Sequence, residues 1–127
     1  GATDLITYTL PGGTLGTNGQ AIRITVGGTT AANANSKTTT VQFGATTLLT
    51  QTSTVSAASW RLVVEVLRTG ATTQVASGEG AFGTALTTTS TAPAETLSGT
   101  IIIKATGTGG ASADITQTYL LVEVIKP

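Results

Sequence analysis

The chain contains no cysteine, no histidine and no methionine. Without cysteine there are no disulfides and no thiolate metal sites, and the fold is indifferent to the redox state of its compartment. Without histidine, the commonest metal ligand and the usual general base at neutral pH are both missing. Charge is scarce as well. Only 9% of the residues are charged, and six basic side chains cancel six acidic ones; soluble domains usually carry about 25%. That balance leaves no basic surface for nucleic acid or an anionic membrane. No apolar run approaches the ~18 residues of a membrane span, and no basic stretch precedes an apolar core at the start. The chain begins at Gly1 rather than Met, as a processed chain or an excerpt does. The expectation is a protein with no metal, no cofactor, no nucleic-acid partner and no membrane insertion.

What is present is a small alphabet. Thr, Ala and Gly occupy 63 of 127 positions, and Thr alone accounts for 30. Val, Ile, Leu and Phe still make 30 of 127, above the roughly 20% below which chains tend to stay disordered. Thr is β-branched and favours strands, so the composition reads as a globular all-β domain spanning 1–127, a usual length for one domain.

Period-two alternation recurs between Gly, Asn and Pro interruptions. Strands are expected at Asp4–Leu10, Gln20–Val26, Lys37–Phe43, Thr46–Thr50, Ser59–Thr69, Thr72–Phe82, Leu97–Ala105 and Asp114–Ile125. Gly27-Gly28 and the following Ala/Asn stretch read as a loop, and Gly83–Ala94 as a polar connection. The clearest strand places Trp60, Leu62, Val64 and Val66 on one face. The first three of these, with Ile22, Ile24, Val41, Phe43, Ile101, Ile103 and Val122, form the expected core. The fold class is all-β: a jelly-roll-like antiparallel β-sandwich of about eight strands.

Catalytic chemistry finds little support. The six carboxylates (Asp4, Glu65, Glu79, Glu95, Asp114, Glu123) are scattered, with no two close enough in sequence to form an evident acid/base pair. A Ser or Thr nucleophile would have to rely on Lys37, Lys104 or Lys126, none in a nucleophile motif. Gly107-Thr108-Gly109-Gly110 lacks the Lys-Ser/Thr and helix of a phosphate-binding loop. No catalytic residues are assigned, and a non-enzymatic protein is expected.

The second faces of the strongest strands are the informative feature. Val63 and Leu67 lie opposite the Trp60 face; Tyr119, Leu121 and Ile125 flank Glu123; and Ile102 points away from Ile101 and Ile103. Strands apolar on both faces are usually covered on both, and a small domain without helices finds that second cover in another subunit, the alternative being a tight loop laid over those side chains. Val63, Leu67, Ile102, Tyr119, Leu121 and Ile125 are therefore the expected oligomer interface.

With Ile22-Arg23-Ile24-Thr25, the stretch Gly28-Thr29-Thr30-Ala31-Ala32-Asn33-Ala34-Asn35-Ser36-Lys37-Thr38 and Phe43-Gly44 in view, the chain resembles a widespread group of tailed-bacteriophage virion structural proteins. The likeness continues at Trp60-Arg61, Arg68–Gln74, Ile103–Gly107 and Ala113–Gln117, and covers residues 18–125. This chain departs from the group in having Val26-Gly27-Gly28 where an aromatic often precedes the Gly-Thr. The resemblance implies a trimer-forming jelly roll on the particle surface: a capsid decoration (cement) or head-fibre protein. The implied partners are the chain itself and other virion proteins, such as the major capsid protein or the tail. A tail-fibre or receptor-binding knob, with a host surface glycan as a possible ligand, is the alternative. A carbohydrate-binding module using Trp60 or Tyr119 is a second. Loops such as Gly12–Gly19 and Gly107–Ala113 hold almost no exposed aromatics or charges for recognition, which favours the structural role.

Overall fold

Alternating apolar and polar side chains with Thr in the polar positions suit a pleated ladder that is buried on one face. Nine strands form on that pattern in the computed structural model, which describes residues 2–127. They are β1 (Thr3–Leu10), β2 (Ala21–Thr30), β3 (Lys37–Phe43), β4 (Thr46–Ser53), β5 (Ser59–Gly70), β6 (Thr73–Phe82), β7 (Ala85–Thr91), β8 (Ile101–Thr108) and β9 (Ile115–Ile125). All pairings are antiparallel, in a four-stranded sheet ordered β1-β8-β3-β4 and a five-stranded sheet ordered β7-β6-β5-β2-β9. β8 lies between β1 and β3, and β2 between β5 and β9, so the chain crosses repeatedly between sheets as in a jelly roll.

The two inner faces meet in one core. β2 supplies Ile22, Ile24 and Val26, and β5 supplies Trp60, Leu62, Val64 and Val66. Val41, Phe43, Leu48, Leu49, Ile101 and Ile103 come from the opposite sheet. The expected core residues are buried with one exception. Val122 is only half-buried against the core, because β9 is an edge strand and one side of it has no neighbour. Leu10, Leu15 and Leu97 are also buried, outside the positions that alternation singled out.

Three sequence expectations are corrected. Gly27-Gly28 does not begin a loop: β2 runs through both glycines to Thr30. The register of β2 against β9 shifts between these residues. A Cβ on Gly28 would collide with the Thr116 carbonyl, and one on Gly27 with the Tyr119 ring and hydroxyl. At Gly28 the backbone of the neighbouring strand leaves no room for a side chain, and at Gly27 the space is taken by the Tyr119 side chain. Gly83–Ala94 is not a connection either, since β7 forms within it at Ala85–Thr91 and pairs with β6 from Phe82↔Ala85 to Ala76↔Thr91. A Thr-rich edge strand with the sequence Ala-Leu-Thr-Thr-Thr-Ser-Thr carries no apolar alternation, and so has no visible core face in the sequence. The strand expected from Leu97 starts at Ile101.

Candidate functional site

Because antiparallel partners share a face, the register of the five-stranded sheet defines rows across its outer surface. One row reads Tyr119–Gly27–Arg61–Ala81–Leu86 and the next Leu121–Thr25–Val63–Glu79–Thr88. Then come Glu123–Arg23–Glu65–Ser77–Ser90, and last Ile125–Ala21–Leu67–Val75. Five of the six expected interface residues, Val63, Leu67, Tyr119, Leu121 and Ile125, thus lie together on this face. Ile102 does not. It sits on the outer face of the other sheet beside Thr9 and one pleat from Lys104, among threonines and Gln42.

Large apolar side chains stand in solvent on the shared face: Leu86 is 78% exposed, Leu121 55%, Val75 46% and Leu67 37%. Alternation along the sequence does not single out Leu86 or Val75. Val75 lay within an expected strand, but no pattern marked its outward side; Leu86 stood alone among threonines. Tyr119 is half-buried, its ring over Gly27. This fills the gap that a strand glycine leaves, a use of aromatics known in β-sheets. A groove of about 590 Å3 runs over Ala21, Leu67, Val75 and Ile125 and takes in Arg23, Glu65, Ser77 and Ser90 as well. A smaller dent of about 210 Å3 is bounded by Arg61, Val63, Glu79, Ala81 and Leu86.

The charges on this face fall into two kinds. Arg23 is held between carboxylates, with Nη2 2.7 Å from Glu65 Oε2 and Nη1 3.9 Å from Glu123 Oε1. The hydrogen bond and charge of Glu65 raise the Arg23 pKa further above its ordinary value. Arg61 and Glu79, in contrast, make no ion pair or side-chain hydrogen bond with any described residue. Every other ionised side chain except Lys126 has a polar partner.

A second constellation explains the Asn-rich stretch. Asp114, just before β9, is buried, and its Oδ1 accepts from Asn33 Nδ2 at 2.8 Å. Its Oδ2 accepts from Asn35 Nδ2 at 3.0 Å and from the backbone N–H groups of Gly110 (2.9 Å) and Ala111 (3.0 Å). On the far side of the same turn, Lys37 is fully buried. Its Nζ donates to the carbonyls of Asn33 (2.9 Å), Asn35 (3.0 Å) and Val55 (3.2 Å). The two asparagines thus bridge a buried anion and a buried cation, side chains to one and backbone to the other. The arrangement saturates the hydrogen bonding of both charges, as burial requires, and fastens the β2–β3 loop to the β8–β9 loop. It has no open coordination position, and among the described residues no group of His, Cys, Asp or Glu is placed to hold a metal ion.

The Asn33 amide, then that of Asn35, and the two backbone donors hold the Asp114 carboxyl below its ordinary pKa. An acid depressed in the folded state stabilises the fold above its unfolded pKa of about 3.9, and that contribution disappears as the pH falls through the folded value. Stability followed by chemical denaturation is therefore expected to be level with respect to this group near neutrality and to decline below about pH 4. Asp114→Asn should flatten that acid limb. An unchanged acid limb in the variant would exclude Asp114 as its source.

The remaining carboxylates are dispersed. Asp4 pairs with Lys104 at 3.0 Å, and Glu95 accepts from Thr46 Oγ1 at 2.9 Å. Trp60 lies in the core, 2% exposed, so the chain's one indole presents no surface to a sugar. Comparison with protein-family models, with curated proteins and with solved structures yields no match to this chain.

Proposed function

We propose that this protein is a non-enzymatic structural component of a tailed-bacteriophage particle, displayed on the virion surface as a capsid decoration or head-fibre protein and held as a homo-oligomer. One observation carries the reading: the outer face of the five-stranded sheet bears Leu67, Val75, Leu86 and Leu121 in solvent on a protein with 9% charged residues. A monomer with that face bare has little to oppose aggregation, whereas closed symmetry buries the face and ends growth. The sequence resemblance supplies the setting, and it implies three copies. The loop lock around Asp114 and Lys37 suits a protein that meets dilution and proteases without disulfides. Light scattering on the purified chain should give a multiple of the chain mass, and antibody against it should label intact particles. A monomer at high concentration, or particles that lack the protein, would overturn the reading.

A further inference from the structure

Three asparagines occur in the chain, and only Asn18 is followed by glycine. That step is the one most open to succinimide formation, because no side chain on the following residue hinders its nitrogen. Asn18 and Gly19 are exposed in the turn that leads into β2. Gly19 takes the left-handed conformation with φ 93°, and nothing lies within 4 Å of where its side chain would stand. Asn33 and Asn35 are followed by Ala and Ser, and Asp114 holds both of their amides.

The chemistry needs only water and hydroxide. The Gly19 nitrogen gives its proton to hydroxide and attacks Asn18 Cγ. The Cγ–Nδ2 bond then breaks and ammonia leaves, closing a succinimide ring. Water opens that ring at either carbonyl, which leaves aspartate or isoaspartate at position 18. Both reacting groups are engaged by one residue. Gly19 N–H donates to the Arg68 carbonyl at 2.9 Å, and Asn18 Oδ1 accepts from Arg68 Nε at 3.0 Å. Arg68 is tied to both ends of the loop: Nη1 donates to the Leu15 carbonyl at 2.7 Å, and its backbone N–H to the Gln20 carbonyl at 2.9 Å. Gln20 Oε1 in turn accepts from the N–H groups of Gly16 and Thr17. The guanidinium polarises the Asn18 amide, which favours attack, but a nitrogen whose proton is held by a carbonyl is no nucleophile. The lock therefore outweighs the polarisation, and reaction waits for the loop to open.

We propose that Asn18-Gly19 is a latent deamidation site that Arg68 keeps closed, so that Asn18 converts only when the 15–20 loop opens. This goes beyond the virion reading and stands without it. Aspartate at position 18 would still accept from the Arg68 guanidinium, now as a charge-assisted bond. Isoaspartate would lengthen the backbone of the turn and draw Gly19 away from the Arg68 carbonyl. Gly19 also lines the groove beside Leu67 and Val75, so either product adds a negative charge at the rim of the apolar outer face.

The test incubates the full chain at mildly alkaline pH and follows the tryptic fragment ending at Arg23, which holds Asn18 and no other asparagine. Mass spectrometry reads the change from amide to acid and locates it by fragmentation. The chain unfolded in guanidinium chloride should convert at least about tenfold faster than the native chain, a ratio equal to about 1.4 kcal/mol of loop opening. Amide exchange measures the same opening independently, and the protection of Gly19 N–H should match that ratio to within about threefold. Arg68→Met keeps the apolar stem and the backbone carbonyl but removes the bonds to Asn18 and Leu15. It should quicken native conversion about tenfold while the circular dichroism spectrum stays that of the parent. Native conversion as fast as that of the unfolded chain, or a Gly19 amide that exchanges as freely as when unfolded, overturns the lock. A folded Arg68→Met variant that converts at the parent rate overturns the role of Arg68. An unfolded chain that leaves Asn18 intact overturns the site itself.

Discussion

Lys37→Met should destabilise the fold by about 3–5 kcal/mol, as removal of one partner from a buried ionic arrangement does. Methionine matches the length and apolar stem of lysine, so packing along β3 is largely kept and the loss isolates the ammonium. Its removal leaves the carbonyls of Asn33, Asn35 and Val55 in a site with no exposure to water, and each unsatisfied buried group costs about 1–3 kcal/mol. It also removes the cation that faces buried Asp114 through the Asn33–Asn35 turn. The measurement is chemical denaturation at fixed protein concentration, because association adds to apparent stability. A second readout is local. Amide exchange should accelerate in residues 31–36 and 109–114, the two loops joined by the lock, ahead of β5 in the core. A loss under about 1 kcal/mol, with no change in those loops, would mean that the loop geometry stands without the ammonium.

Trp60→Ala should cost about 3–5 kcal/mol. The indole is almost wholly buried, its ring meets Phe82 edge to face with centroids 6.3 Å apart, and its Nε1 donates to the Thr29 carbonyl at 3.3 Å. Truncation removes a large apolar surface, opens a cavity between sheets that are closed elsewhere, and leaves the Thr29 carbonyl without this donor. Trp60→Phe keeps a ring beside Phe82 and should cost less than half as much. A cost under about 1 kcal/mol for Trp60→Ala would mean that the surrounding strands collapse onto the gap.

The fold class was legible because the dominant signal is local. Ile22, Ile24 and Val26 alternate with Arg23 and Thr25, and Trp60, Leu62, Val64 and Val66 alternate with Arg61, Val63, Glu65 and Leu67. A strand's two faces follow from the pleat alone. The same rule separated the outward residues Val63, Leu67, Tyr119, Leu121 and Ile125 from the core. It failed where neighbours, not the strand itself, decide. β7 has no apolar face, since its Thr and Ser residues satisfy an edge position held by pairing with β6. Gly27 and Gly28 look like a turn until β9 is seen pressed against them with the Tyr119 ring laid on top. Ile102 obeys the same alternation as the interface residues, yet it belongs to the opposite sheet, and alternation carries no information about which sheet a strand joins.

The sequence by itself determined that the chain is all-β, that its charges balance, that thiol and imidazole chemistry are absent, and that several strands are apolar on both sides. These are properties of composition and of near neighbours along the chain. Only the tertiary structure decided which groups meet across long separations. It set Asn33 and Asn35 against Asp114, about 80 positions away, and put Lys37 at the centre of three carbonyls. It also set Arg61 and Glu79 diagonally across β5 and β6, with no partner for either among the described residues. The physical reason is register: a shift of one residue in any ladder would exchange the two faces of a strand. Where each charge lands therefore depends on how nine strands pair, and no single strand encodes that.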